Sequence, residues 1–105
     1  MSEIATVYAT FADAEEAERI ARTLVEERLA ACANILGPCR SIYRWEGAIE
    51  DTSEVAVLFK TRADLAHALI ERLAALHSYE VPAATVWPIA ATLPGYRKWV
   101  LDSTG

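Results

Sequence analysis

The chain has 105 residues, of which 53% are hydrophobic and 24% charged, with a formal net charge of −5. This length predicts one domain spanning residues 1–105, and the composition is typical of a globular protein and not of a disordered one. An acidic chain without a Lys/Arg cluster lacks the basic surface that nucleic acid binding requires, and no apolar run approaches the roughly 18 residues of a membrane span.

The N-terminal third predicts a strand followed by an amphipathic helix. Residues 4–10 are short and rich in residues that favour strands. Asp13 stands three residues before Glu16, which is a carboxylate version of the capping box, and the helix is expected to run to about Leu29. Its apolar positions are Ala17, Ile20, Ala21, Leu24 and Val25. We expect its charged face, which includes Glu16, to be exposed to water and stabilised by i,i+4 ion pairs.

The middle of the chain predicts a long β-hairpin. Residues 30–36 and 39–45 form one strand that Gly37-Pro38 interrupts with a bulge or an edge, and Gly47 is the turn residue. The returning strand, 53–61, is apolar on both faces. One face carries Val55, Val57 and Phe59, and the other carries Ala56, Leu58 and Lys60. Such a strand must be packed against other structure on both faces. In a chain this short, we expect helices to cover one face and another copy of the protein to cover the other.

The last third predicts a helix, a short strand and a final helix. Thr61 and Asp64 suggest a second capping box, which opens a leucine-rich helix ending near His77. Strand 84–89 contains Pro88, which indicates an edge, and a short helix follows Pro94-Gly95. The order βαββαβ predicts an α+β, ferredoxin-like, two-layer sandwich with a short C-terminal helix. The central hairpin is longer than that fold needs, so it should project and require a partner.

Sequence motifs of catalysis are absent. No phosphate-binding loop, nucleophile elbow, CxxC or HExxH occurs, so we expect that the protein is not an enzyme. His77 has two interpretations, a metal ligand beside a loop or a helix-end histidine that interacts with the helix dipole. Lys60 either reaches solvent or pairs with a carboxylate in a groove between subunits. Tyr43 and Trp45 either anchor a subunit contact or stabilise the hairpin.

Six blocks occur in order along the chain: LAACANI, SIYRWEG, SEVAVLFKT, LHSYEVP, WPI and YRKWV. Together they resemble the CutA family of divalent-cation tolerance proteins over nearly the whole length. The resemblance implies a ferredoxin-like fold and a homotrimer in which long hairpins exchange sheet contacts. It further implies an architecture similar to that of PII signalling proteins, a role in tolerance to copper and other divalent cations, and copper binding in some members.

The sequence departs from the family at the copper ligands. The resemblance implies a Cys in the first strand, a His at the end of the second helix and a Glu after the loop proline. This chain has Ala9, Leu76 and Ala83 there. His77 matches the histidine of the HPYxxPE block, which here reads HSYEVPA, and Glu80 is a substitute carboxylate. The metal ligands implied for this chain are therefore His77 and Glu80.

Two functions follow from these observations. The first is a CutA-like homotrimer in the cytoplasm that responds to divalent cations, binding copper or another divalent metal weakly or at a site shared between subunits. The alternative is a PII-like signalling or scaffold trimer that binds a small anionic ligand or a partner protein in the cleft between subunits. The residues expected to line that cleft are Arg44, Trp45, Glu46, Lys60 and Tyr79. The residues expected at the trimer interface are Tyr43, Trp45, Val55, Val57 and Phe59.

Overall fold

A computed structural model describes residues 3–105. Its elements are β1 (Ile4–Phe11), α1 (Ala14–Glu26), β2 (Cys32–Trp45), β3 (Ala48–Arg62), α2 (Ala66–Leu76), β4 (Ala84–Pro88) and α3 (Pro94–Asp102). The strands form one antiparallel sheet in the order β2-β3-β1-β4. This confirms the predicted α+β architecture. No helix within 3–105 is long and apolar enough to cross a membrane.

The main core lies between the sheet and the helices α1 and α2. Alternate residues of β1 and β3 face these helices, and they pack against the apolar stripe of each helix. The fully buried large side chains of this layer are Val7, Phe11, Val57, Phe59, Ile20, Leu24, Leu69 and Leu73. The prediction that Val55, Val57 and Phe59 lie at a subunit interface was therefore wrong, because these side chains fill the subunit's own core.

The opposite face of the sheet is covered at one end by α3. Val100 of α3 is fully buried against Ile4 and Ala31. Further along this face β1 presents Thr6 and Tyr8, and the ring of Tyr8 stacks on Trp87 of β4 with 5.2 Å between centroids. The helix α3 therefore leaves part of this face open.

The two capping patterns have different outcomes. Asp13 accepts a hydrogen bond of 2.8 Å from the Glu16 N–H, which confirms the predicted start of α1. Thr61 lies inside β3, where its buried hydroxyl donates to the Leu29 carbonyl at 2.6 Å. The prediction that Thr61 opens α2 was therefore wrong: a 3-10 turn, Ala63–Leu65, precedes that helix, and no side chain caps it.

The β2–β3 hairpin extends beyond the rest of the sheet, as predicted, because β1 pairs with β3 only from Val55 to Arg62. The register shifts between Ile35 and Pro38, where a bulge was expected. Glu46 and Gly47 form the turn with φ values of 49° and 82°, as a two-residue type I′ turn requires. Near this turn Ile42 is 66% exposed and Ile49 is 61% exposed. The hairpin thus carries large apolar side chains that its own subunit does not cover.

Candidate functional site

The imidazole of His77 is buried at the end of the sheet. His77 follows the last turn of α2, and its side chain is 0% exposed. Nε2 lies 2.8 Å from the Thr10 carbonyl oxygen, so this nitrogen carries the proton and donates. Nδ1 accepts from the Tyr79 N–H at 3.0 Å. These two bonds select the neutral tautomer protonated at Nε2, and the ring stacks on Phe11.

The position of Thr10 explains why this carbonyl accepts from a side chain. The β1–β4 register ends at the pair Ala9 and Ala84, so Thr10 lies one residue beyond the part of β1 that β4 covers. His77 enters beside this uncovered residue directly from α2. The ring therefore links three elements: the end of β1, the end of α2 and the loop that leads to β4.

Glu16 holds the next residue of that loop. Its carboxylate accepts from the Ser78 N–H at 2.7 Å and from the Ser78 hydroxyl at 2.9 Å, and more weakly from the Ala12 N–H at 3.4 Å. Burial raises the pKa of Glu16, but the hydrogen bonds from Ser78 and Ala12 outweigh burial and leave the pKa below its ordinary value. Glu16 is thus a buried anion, which corrects its predicted place on the solvated face of α1.

Tyr79 extends this network to β3. Its hydroxyl donates to Glu54 at 2.8 Å, and Glu54 is only 9% exposed. Burial, together with the hydrogen bond to the Glu54 carboxylate, raises the pKa of Tyr79 well above its ordinary value. Tyr79 therefore acts as a neutral donor that fixes the loop to the sheet.

The metal ligands implied by the resemblance do not converge in one subunit. Glu80 is exposed, while both nitrogens of His77 are engaged in hydrogen bonds. The positions of Ala9, Leu76 and Ala83 offer only hydrocarbon side chains. Across residues 3–105 no three His, Cys, Asp or Glu side chains form a group that could hold a metal ion. A cation bound here would need ligands from a second copy, or would have to displace the Tyr79 N–H from Nδ1 of His77.

The residues predicted to line the cleft lie in three separate places. Arg44, Trp45 and Glu46 are at the tip of the hairpin, and Tyr79 is at the end of the sheet. Lys60 is near the other end of β3, roughly 40 Å along the strand from the tip at about 3.3 Å per residue. One subunit therefore does not bring Arg44 and Lys60 together, and a common cleft would have to form between copies.

Sequence reasoning missed several residues of the His77 network: Thr10, Glu16, Glu54 and Ser78. One signal for Glu16 was available, because it lies four residues before Ile20 and so borders the apolar stripe of α1. No local signal pairs Glu54 with Tyr79, since their contact depends on the fold.

The two cysteines, Cys32 and Cys39, are free thiols. Cys32 Sγ lies 3.7 Å from the Tyr96 hydroxyl, and Cys39 Sγ lies 3.9 Å from the Ser41 hydroxyl. Because the hydrogen bonds of His77 go to Thr10 and Tyr79, it is not paired with either thiol as a nucleophile and base would be.

Comparison with known proteins identifies the family. The family described as CutA1 divalent ion tolerance protein matches residues 5–103. The divalent-cation tolerance protein CutA of Pyrococcus horikoshii is 46% identical over 98 residues, which make up 93% of this chain and 95% of that protein. The chloroplastic protein CutA of Arabidopsis thaliana is 38% identical, and this chain spans 54% of its length.

A solved structure gives the same result for the fold. The crystal structure of CutA from Xylella fastidiosa superposes with a TM-score of 0.96 at 41% sequence identity, covering 99% of this chain and 100% of that one. Its sequence identity is high enough to reflect common descent as well as a common fold. The chain belongs to the CutA1 family of divalent ion tolerance proteins.

Proposed function

We propose that the protein acts in divalent-cation tolerance as a homotrimer whose subunits join through the projecting hairpin. The observation that carries this proposal is the exposure of large apolar side chains on both faces of the hairpin. Side chains alternate along each strand, and the register sets Arg44 opposite Ile49 and Tyr43 opposite Glu50. Ile42 and Ile49 therefore share one face, while Tyr43 and Trp45 share the other.

A hairpin with two apolar faces favours a ring over a two-fold pair. One isologous contact covers a single patch, whereas each hairpin in a closed ring of three contacts both neighbours. Trp45 is 51% exposed and Tyr43 is 41% exposed in the single subunit. Covering these side chains and the two isoleucines stabilises the assembly by about 25 cal/mol for each Å² of apolar surface removed from water.

Within this proposal, copper or another divalent cation is bound weakly or at a contact shared between subunits. Glu80 supports it because its carboxylate is exposed on the loop after α2. His77 contributes only where the metal displaces the Tyr79 N–H. The role is one of binding and not of catalysis, and we place it in the cytoplasm.

The test is a calorimetric titration of copper(II) into metal-free protein at neutral pH, beside Glu80→Gln and the matched control Glu15→Gln on the exposed face of α1. We expect saturable binding at a fixed ratio per trimer, weakened about tenfold in Glu80→Gln because a charged ligand is lost. Glu15→Gln should bind as the unaltered protein does. Absence of saturable binding, or equal binding in both variants, would overturn the proposed metal role.

A further inference from the structure

The open part of the sheet face carries a row of polar side chains. Phe59 and Val7 face the helices, so strand alternation places Lys60 and Thr6 on the opposite face. The register sets Lys60 directly opposite both Cys32 of β2 and Thr6 of β1. Asn34 lies two residues after Cys32 and so shares this face. Three potential hydrogen-bond donors, Lys60, Thr6 and Asn34, therefore meet on three adjacent strands.

These donors have few acceptors within the chain. The Lys60 ammonium donates one bond of 2.8 Å, to the Asn34 side-chain oxygen. That bond directs the amide oxygen of Asn34 towards the ammonium and leaves the amide NH₂ without an acceptor among residues 3–105. The Thr6 hydroxyl also has no hydrogen-bond partner in that range. Since no buried side-chain oxygen or nitrogen there lacks a partner, this hydroxyl is accessible to solvent. The row thus offers an ammonium, a hydroxyl and an amide NH₂ to an acceptor from outside.

Lys60 differs from most other basic residues of the chain in its lack of a counter-charge. Basic residues that form ion pairs with carboxylates are Arg40, Arg62, Arg72, Arg97 and Lys98. The ammonium of Lys60 has no carboxylate partner in the part of the chain that the structure describes. A positive charge without a carboxylate partner attracts an anion.

Aromatic rings border the row on both sides. Thr6 is paired with Trp87, whose ring stacks on Tyr8 with an interplanar angle of 11°. On the other side the Tyr96 hydroxyl lies 3.7 Å from Cys32 Sγ. The row therefore lies between these two aromatic residues.

We propose that Lys60, Thr6 and Asn34 form a binding site for an oxyanion, a carboxylate or a phosphate group. The ammonium supplies the charge, while the hydroxyl and the amide NH₂ orient the anion's oxygen atoms. The group belongs either to a free small molecule or to a side chain of a second copy. This site is separate from Glu80 and does not depend on the proposed cation binding.

The test measures the thermal unfolding midpoint in increasing sodium phosphate and, separately, sodium citrate, each against sodium chloride at equal ionic strength. Lys60→Met removes the charge and keeps the apolar stem, and Thr6→Val removes only the hydroxyl. Arg19→Met is the matched control, because it removes a positive charge from the exposed face of α1, on the other side of the sheet. The mass of each variant in solution is measured in parallel.

A free anion is the source if phosphate or citrate saturably raises the midpoint of the unaltered protein and of Arg19→Met. The half-saturating concentration should then rise about tenfold or more in Lys60→Met, as expected for loss of a charged hydrogen bond, and less in Thr6→Val. A second copy is the source if neither anion acts and Lys60→Met alone lowers the assembled mass. The proposal is overturned if Lys60→Met behaves like Arg19→Met in both measurements.

Discussion

Two regions differ in how far the subunit itself provides contacts for their side chains: the end of the sheet around His77 and the tip of the β2–β3 hairpin. At the sheet end the polar atoms of His77, Glu16, Ser78 and Tyr79 find partners within the subunit. At the hairpin tip large apolar side chains stay exposed to water. A region whose polar side chains find partners within the subunit stabilises the folded subunit. A region with exposed apolar side chains adds stability only when a partner buries them.

The largest effect is expected from His77→Ala. It removes a fully buried ring and both of its hydrogen bonds, so the free energy of unfolding should fall by roughly 2–4 kcal/mol. His67→Ala, at an exposed position of α2, is the control and should change it by less than about 0.5 kcal/mol. Urea denaturation at pH 7 measures both. Equal losses in the two variants would show that the network around His77 is not what stabilises this region.

Substitutions in the hairpin should weaken the association of subunits and leave the folding of each subunit unchanged. Ile49→Ser removes an apolar side chain that is 61% exposed, so it should weaken association about tenfold or more while the fold is kept. Val81→Ser is the control, since Val81 is 71% exposed but lies on the loop before β4. A dilution series followed by light scattering compares the two. If Val81→Ser dissociates as readily as Ile49→Ser, the hairpin is not the main contact.

Because of Glu16, the free energy of unfolding should depend on pH in a characteristic way. Its pKa in the folded protein lies below the ordinary value of 4.5, so its stabilising contribution is complete above that value and is lost as pH falls towards the lowered pKa. Glu16→Gln should therefore cost about 1 kcal/mol at pH 7 and less at pH 4. Denaturation at the two pH values tests this. A cost that grows on acidification would have the wrong sign.

The smallest effect is expected at the surface of the hairpin. Arg40 and Asp51 form an ion pair between β2 and β3, but both side chains are largely in water. Arg40→Gln should leave the unfolding midpoint within error and its salt dependence unchanged, because exposed pairs add little. A clear drop in the midpoint would mean that an assembled neighbour shields this pair from water.

The order of elements and the turn could be predicted from the sequence because both rest on local patterns. Gly47 marked the turn, and Asp13 marked the start of α1. The same capping pattern failed at Thr61, since that hydroxyl finds a carbonyl on a distant segment, at Leu29. Likewise, because residues 53–61 are apolar on both faces, the sequence pattern could not predict which face packs against the helices.

The candidate site was less predictable because its contacts are distant in sequence. His77 was singled out, but its partner at Thr10 lies 67 residues away, and the Glu16 carboxylate bonds to Ser78 from 62 residues away. Only the fold brings these groups together. The same holds for Lys60 and Thr6, whose juxtaposition follows from the β1–β3 register.

The central claim is that the exposed hairpin joins three copies. Sedimentation equilibrium of the unaltered protein at micromolar concentration tests it most directly. We predict a single species with three times the subunit mass of 11.5 kDa. A monomer or a dimer at that concentration would contradict the account.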